Sequence, residues 1–380
     1  MFRNKKFLGT AFIIVILLLL VTGLLTMASL SFPVVPKGKS SYYYLSKQEL
    51  WIFLGLICFS FTALMNYKRY KEFKFFAALY IIGIVGLFMV LILGGKTKGA
   101  VRWINVFGFK IQPSEFAKLI IIITVAVLID RLKNKNMIAT KPWTSAAIIL
   151  GTTGVYSLLI LMEKSYTSMA QVAIIGILML FISGINLSAF TIIFSFLIIL
   201  GQFLLKLASY RVNRIKSHES GELVFQAHQS LIAIGSGNLT GRGYGNGLQK
   251  YKFLPEIHTD YIFSGFAEEN GFIGALILIL IYVCLLAIIL IVACKIKDMF
   301  AKYLLMGIFV MFATQILGNI AVVSDVVPST GIPLPLMSYG GSSVFVSMFA
   351  LGIVYNVIRA LYKQEMGDEL DEINEVEYMM

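Results

Sequence analysis

The chain has 380 residues, 58% of them hydrophobic and only 14% charged, with a mean hydropathy of +0.84. A soluble domain carries close to a quarter charged residues, so an ordinary soluble globule is excluded and an all-α polytopic membrane protein is predicted. The net charge of +12 is spread over connecting segments rather than gathered on one soluble face, which argues against nucleic acid as a partner.

A basic start (Arg3, Lys5, Lys6) precedes the first apolar run, 7–30, which is too long for a signal-peptide core and reads as an uncleaved span. A polar loop with Pro33 and Pro36 leads to a second span at 48–66, a basic connection (Lys68, Arg69, Lys71, Lys74) and a third span at 75–93. A short dense loop, 94–112, ends at Pro113. Proline suits the first turn of a helix, so Pro113 opens the fourth span, 113–130. The fifth, sixth and seventh spans are read at 143–162, 169–183 and 189–208. A polar island at 209–270 follows, and the last three spans fall at 272–294, 303–323 and 342–361. The acidic tail, 362–380, reads as disordered. The three cysteines, Cys58, Cys284 and Cys294, lie in apolar runs and imply no disulfide framework.

The organisation is thus one bundle of ten transmembrane helices, 1–361, with a large loop between helices 7 and 8 and a tail. Ten spans place both ends on one side, and the short basic connections make that side cytoplasmic. The large loop and the loops 94–112 and 325–341 then lie outside. They too carry cations (Arg102, Lys110, Arg211, Arg214, Lys216, Arg242, Lys250, Lys252), against the positive-inside bias. Those cations fit an anionic ligand or attraction to lipid headgroups.

Four polar constellations interrupt the apolar pattern. In the first, Arg102 and Trp103 precede Lys110, Gln112, Pro113, Glu115 and Lys118. With Pro113 near a helix start, Glu115 and Lys118 share one face at the membrane boundary. Ionisable groups there suggest a site, although an ion pair and an interfacial tryptophan explain them equally. The second is a glycine-rich run, 235–247, which allows close backbone approach to a ligand or forms a compact turn. The third, 254–271, holds His258, Thr259, Asp260, Glu268 and Glu269. Thr259 or Asp260 could cap the next helix; the alternative is that Asp260 acts as a general base, with His258 as a second candidate. The fourth, 328–343, has three prolines and three glycines and contains Ser338 and Tyr339. Irregular backbone at membrane depth survives only inside protein or lining a cavity, so this stretch reads as a loop walling a groove. No metal-ligand spacing and no nucleophile elbow appear.

Together, GAVRWI, IQPSEFAK, QSLIAIGSG, LPEIHTDYIF and PLPLMSYGGSS resemble, in order and spacing, the SEDS family (shape, elongation, division and sporulation: FtsW, RodA and SpoVE), and sit closer to FtsW and SpoVE than to RodA. The resemblance covers about 94–356. It implies a peptidoglycan glycosyltransferase that polymerises lipid II outside the bacterial cytoplasmic membrane. It also implies a class B penicillin-binding protein as transpeptidase partner and contacts with other division or elongation proteins. It places the catalytic aspartate at Asp260 and the loop tryptophan at Trp103. It puts the family's acid and lysine at Glu115 and Lys118, and a cation usually found as arginine at Lys110. The family's Pro-Asp-x-Gly-Thr pattern after the fifth span is absent; residues 163–168, EKSYTS, stand there.

On this reading Asp260 takes the proton of the acceptor sugar hydroxyl, and the leaving group is a pyrophosphate anion that needs no acid. Arg102, Lys110, Lys118, Arg242 and Lys250 are candidates for the diphosphate, and a divalent cation (Mg or Mn) is left open as a bridge. Two other functions compete: a lipid II flippase, which needs a polar path across the bilayer, and a non-catalytic division scaffold.

Overall fold

In hydrocarbon every backbone N–H and C=O must find its partner within the chain, so long apolar runs become helices. The computed structural model describes residues 5–35, 38–40, 42–97, 100–106, 109–197, 225–251, 253–327 and 331–379. In chain order its helices are α1 (Lys5–Leu30), α2 (Tyr43–Leu64), α3 (Phe73–Leu93), α4 (Pro113–Asn134), the short α5 (Met137–Thr140), α6 (Pro142–Met162), α7 (Tyr166–Ile182), α8 (Leu187–Leu197), α9 (Ile262–Lys295), α10 (Met299–Val323) and α11 (Gly341–Met379). Seven of them, α1, α2, α3, α6, α9, α10 and the first part of α11, are long and apolar enough to cross a membrane, so the chain is a multi-pass membrane protein.

α4 is as long as its neighbours but carries Glu115, Lys118, Asp130, Arg131 and Lys133. It is tolerated because it faces protein: it packs against α3, α6, α7 and α10, and most of its residues are buried. Its charges sit at the two ends. Between them 119–129 is apolar apart from Thr124, whose hydroxyl donates to the carbonyl of Ile120 at 2.8 Å. At the far end Lys71 bridges Asp130 at 2.7 Å. α2 runs along α11, and Gly352 lets the two approach so closely that a Cβ there would overlap Thr62 Oγ1.

Several sequence expectations change. The loop 94–112 is a small antiparallel sheet, β1 (Gly95–Thr97), β2 (Ala100–Val106) and β3 (Phe109–Ile111), with Gly95 opposite Trp103 and Asn105 opposite Lys110. The eighth span begins earlier, at Ile262, because α9 carries on through a kink at Gly271 (φ 69, ψ −171), a conformation open essentially to glycine alone. The tail, expected to be disordered, continues α11 as helix to Met379, since extending an existing helix needs no new nucleus. The end of the seventh span (198–208), the start of the large loop with Arg211, Arg214, Lys216 and His218, Lys252, and residues 328–330 lie outside the described residues.

The described part of the large loop is a helix at 225–236, then turns. Its glycine run packs on its own chain. Arg242 N–H donates to Glu268 O at 3.0 Å, Gly243 N–H to Glu269 O at 3.0 Å, and Phe272 N–H to Asn238 O at 2.8 Å. Gly241 has φ 82, and a Cβ there would overlap the carbonyl of Glu269. Close backbone approach is what these glycines provide, and the partner is the kink of α9.

Candidate active site

At one end of the bundle the sheet, the starts of α2, α4, α7 and α11, the turn before α9 and the loop 331–341 enclose a cavity of about 490 Å³. Lining it are seven of the twelve sequence-predicted site residues, Asp260, Arg102, Trp103, Lys110, Gln112, Glu115 and Tyr339, together with Lys47, Trp51, Asn105, Gln171, Glu256 and Thr259.

Asp260 lies in the turn that leads into α9 and is half-buried. The N-cap of α9 is Tyr261, which makes no side-chain capping bond, and the Thr259 hydroxyl is turned to Glu256 (Oε2, 3.1 Å). Asn319 of α10 fixes the turn. Its Nδ2 donates both to Asp260 O and to Ile332 O, each at 2.7 Å, so one amide ties the Asp260 turn to the loop 331–341. In that loop Gly331 has φ +70 and lies against the Asp260 carboxyl. Other bonds hold the loop inside the protein. Tyr282 Oη donates to Pro335 O at 2.6 Å, Gln48 Nε2 to Ser338 O at 3.1 Å, and Leu334 N–H to Ser338 Oγ at 2.8 Å. Ser338 therefore shapes the loop from behind, while Tyr339 lines the cavity.

His258 is buried behind the wall. Its ring packs 4.5 Å from Tyr44 and 5.9 Å from Tyr339, and its carbonyl accepts the Tyr339 N–H at 2.9 Å. Burial lowers its basicity, opposed by Glu256, and its carbonyl and ring together hold Tyr339 in place.

Cations come from three elements. Lys47 begins α2 and donates to Tyr43 Oη at 2.7 Å. Arg102 on β2 donates through Nη2 to Lys164 O at 2.9 Å, and Lys110 on β3 is exposed. Lys118 does not line the cavity. It lies one turn beneath the floor, fully buried, bonded to Glu115 Oε1 at 2.8 Å and to Gln171 Oε1 at 3.2 Å. Trp51 and Phe109 meet edge to face at 5.3 Å and form an aromatic wall.

Arg242 and Lys250 also lie elsewhere. Lys250 is buried and donates to Glu269 Oε1 at 2.8 Å and to Ser29 Oγ at 3.0 Å. Arg242 approaches Glu268 at 3.8 Å. Their charges are met by the acids of α9, and they clasp the large loop to the kink.

Glu163, which follows α6, opens the segment 163–168 that departs from the family pattern and for which the sequence suggested no role. It is buried, and neither carboxylate oxygen has a hydrogen-bond partner. Burial pushes its carboxyl up to about 8, opposed by Arg102, whose Nε is also buried without a partner. A carboxylate closing an apolar span was the available signal. Lys47, Trp51 and Gln171 offered only a polar or aromatic residue near the edge of a span.

Fold and site define a polytopic helical membrane protein with a polar cavity at one end, where carboxylates face cations across an aromatic wall. A family model described as "Cell cycle protein", covering FtsW, RodA and SpoVE, matches residues 10–363, and the chain belongs to this family. It is 33% identical over 335 residues to a probable peptidoglycan glycosyltransferase FtsW of Trichlorobacter lovleyi, covering 84% of each chain. It is 34% identical over 360 residues to stage V sporulation protein E of Bacillus subtilis, covering 91% of this chain and 96% of that one. Its fold is similar to a chain of a peptidoglycan synthase complex (TM-score 0.73, 22% identity, 92% of this chain and 97% of the other). It is also similar to the rod shape-determining protein RodA of Thermus thermophilus (TM-score 0.68, 23% identity, 92% and 96%).

Proposed function

We propose that this protein is a peptidoglycan glycosyltransferase that polymerises lipid II at the outer face of the cytoplasmic membrane. The observation that carries the reading is the convergence of Asp260, Arg102 and Lys110, from segments far apart in sequence, on one cavity at one end of the bundle. Relatives spanning most of the chain bear the name of that activity.

Asp260 accepts the proton of the acceptor sugar hydroxyl, and the oxygen attacks the anomeric carbon of the donor from the opposite side. The new glycosidic bond forms as the bond to the polyprenyl diphosphate breaks, with inversion. The diphosphate leaves as an anion, and Arg102, Lys110 and Lys47 meet its charge in the cavity. Glu115 and Lys118 keep the floor neutral and fixed. A divalent cation, Mg or Mn, would be held by Asp260 and Glu256, whose carboxylates line the cavity, together with the substrate phosphates, and would add positive charge for the departing diphosphate.

The seven long helices together with α4, α7 and α8 make ten crossings, with the large loop between α8 and α9. The basic connections (Lys68, Arg131, Lys297, Lys363) lie at the end away from the cavity, so both termini are cytoplasmic and the cavity is outside. A class B penicillin-binding protein is the fitting transpeptidase partner, since one relative in fold belongs to a complex described as coordinating polymerization and crosslinking. The apolar middle of α4, 119–129, favours the enzyme over a flippase, which needs polar groups along the whole path.

Glycan synthesis from purified lipid II, with and without the transpeptidase, tests the reading. Wild type makes polymer and Asp260→Asn does not. Polymer at the wild-type rate from Asp260→Asn would remove Asp260 as the base.

A further inference from the structure

A second cavity, of about 540 Å³, lies at the other end of the bundle. Trp51 of α2 and Ser343 of α11 line the first cavity, while Leu64 and Asn356 of the same helices line the second. Thirteen residues of helix at ~1.5 Å each separate them by roughly 20 Å. The mechanism uses nothing here.

Four cations border this cavity: Lys68 beyond α2, Lys297 between α9 and α10, and Arg359 and Lys363 on α11. One acid, Asp298, faces them, and its carboxylate is engaged by Tyr67 Oη at 2.9 Å and by the Phe300 N–H at 3.0 Å. Asn356 knits the floor, accepting the Tyr67 N–H at 3.1 Å and donating to Ala63 O at 2.8 Å, where Arg359 also donates at 3.2 Å. The cavity thus holds a marked excess of positive charge on a preformed frame. From its rim an exposed apolar stripe, Phe53, Ile57, Phe61 and Leu64, descends α2 at helical spacing. Basic pockets between membrane helices at the cytoplasmic side suit phosphate-bearing lipid headgroups.

We propose that this cavity binds the phosphate of an anionic phospholipid such as phosphatidylglycerol, with an acyl chain along the Phe53–Ile57–Phe61–Leu64 stripe of α2. A soluble phosphate shares the headgroup's chemistry but makes no use of the stripe.

The test is native mass spectrometry of the full chain, taken from mixed phosphatidylglycerol and phosphatidylcholine, with bound lipids counted. Wild type retains phosphatidylglycerol in preference to phosphatidylcholine. Lys68→Gln/Lys363→Gln, which removes two exposed cations with no ion pair among the described residues, weakens that retention roughly thirtyfold. Lys135→Gln/Lys141→Gln removes equal charge at the same end, outside the cavity, and retains the lipid. Size-exclusion profiles establish that both variants are folded. Retention in excess inorganic phosphate assigns the site to the lipid, and displacement by inorganic phosphate assigns it to a soluble anion. Equal retention by wild type and both variants, or equal loss from both variants, overturns the proposal.

Discussion

Lys250 separates a structural cation from a substrate-binding one. Its ammonium is buried among Glu269 Oε1, Ser29 Oγ and Gly245 O, all within 3.0 Å. Lys250→Met leaves the Glu269 carboxylate enclosed without its counter-charge, and breaking a buried pair from one side costs about 3–5 kcal/mol. At roughly 2 °C per kcal/mol for a chain of this size, the melting temperature should fall by about 6–10 °C. Adding Glu269→Gln removes the stranded charge while keeping an acceptor for Ser29, and most of the loss should return. The assay is thermal unfolding of the purified protein, paired with lipid II polymerisation by the double variant. On the structural account the KM of that variant for lipid II matches wild type. A folded double variant with a KM several-fold higher would place Lys250 at the diphosphate and refute the reasoning.

Asp260→Asn should lower kcat for polymerisation about 10²- to 10⁴-fold, the range of a lost general base, with KM little changed in steady-state assays. Glu163 is held at about 8 against an ordinary 4.5, so the folded state binds its proton more tightly and loses stability as pH rises from about 4.5 to 8. Glu163→Gln should therefore match wild type near pH 4 and melt higher than wild type near pH 9; parallel melting curves across that range would refute this. Gly271→Ala places a Cβ against Leu239 and Gly241 at a backbone angle that side chains avoid. It should reduce the yield of monodisperse protein sharply, whereas Gly151→Ala, with open space around it, should not.

The spans were legible because lipid leaves a chain few choices, and each apolar run had to close its own hydrogen bonds. Asp260, Arg102, Lys110, Glu115 and Tyr339 were legible because polar residues at the edge of hydrocarbon are costly and stand out. Pairing was harder to read. Lys250 and Glu269 are 19 residues apart, and no helical or strand period links them. The loop cations therefore looked like one anion-binding set, while Arg242 and Lys250 answer the acids of α9. β1 and β3 span three residues each, too few for alternation to show. Gly271 looked like a helix boundary, yet α9 continues through it because the glycine run of the large loop supplies the missing backbone partners.

That clasp has a bearing on assembly. Backbone bonds join 238–243 to 268–273, so the kinked top of α9 is completed only by chain made before it. Closing a loop of about thirty residues costs little more than closing one half as long, which makes the step cheap once both segments share a compartment. The bend in α9, and with it the setting of Asp260, is therefore held jointly by the helix and by the large loop that packs on it.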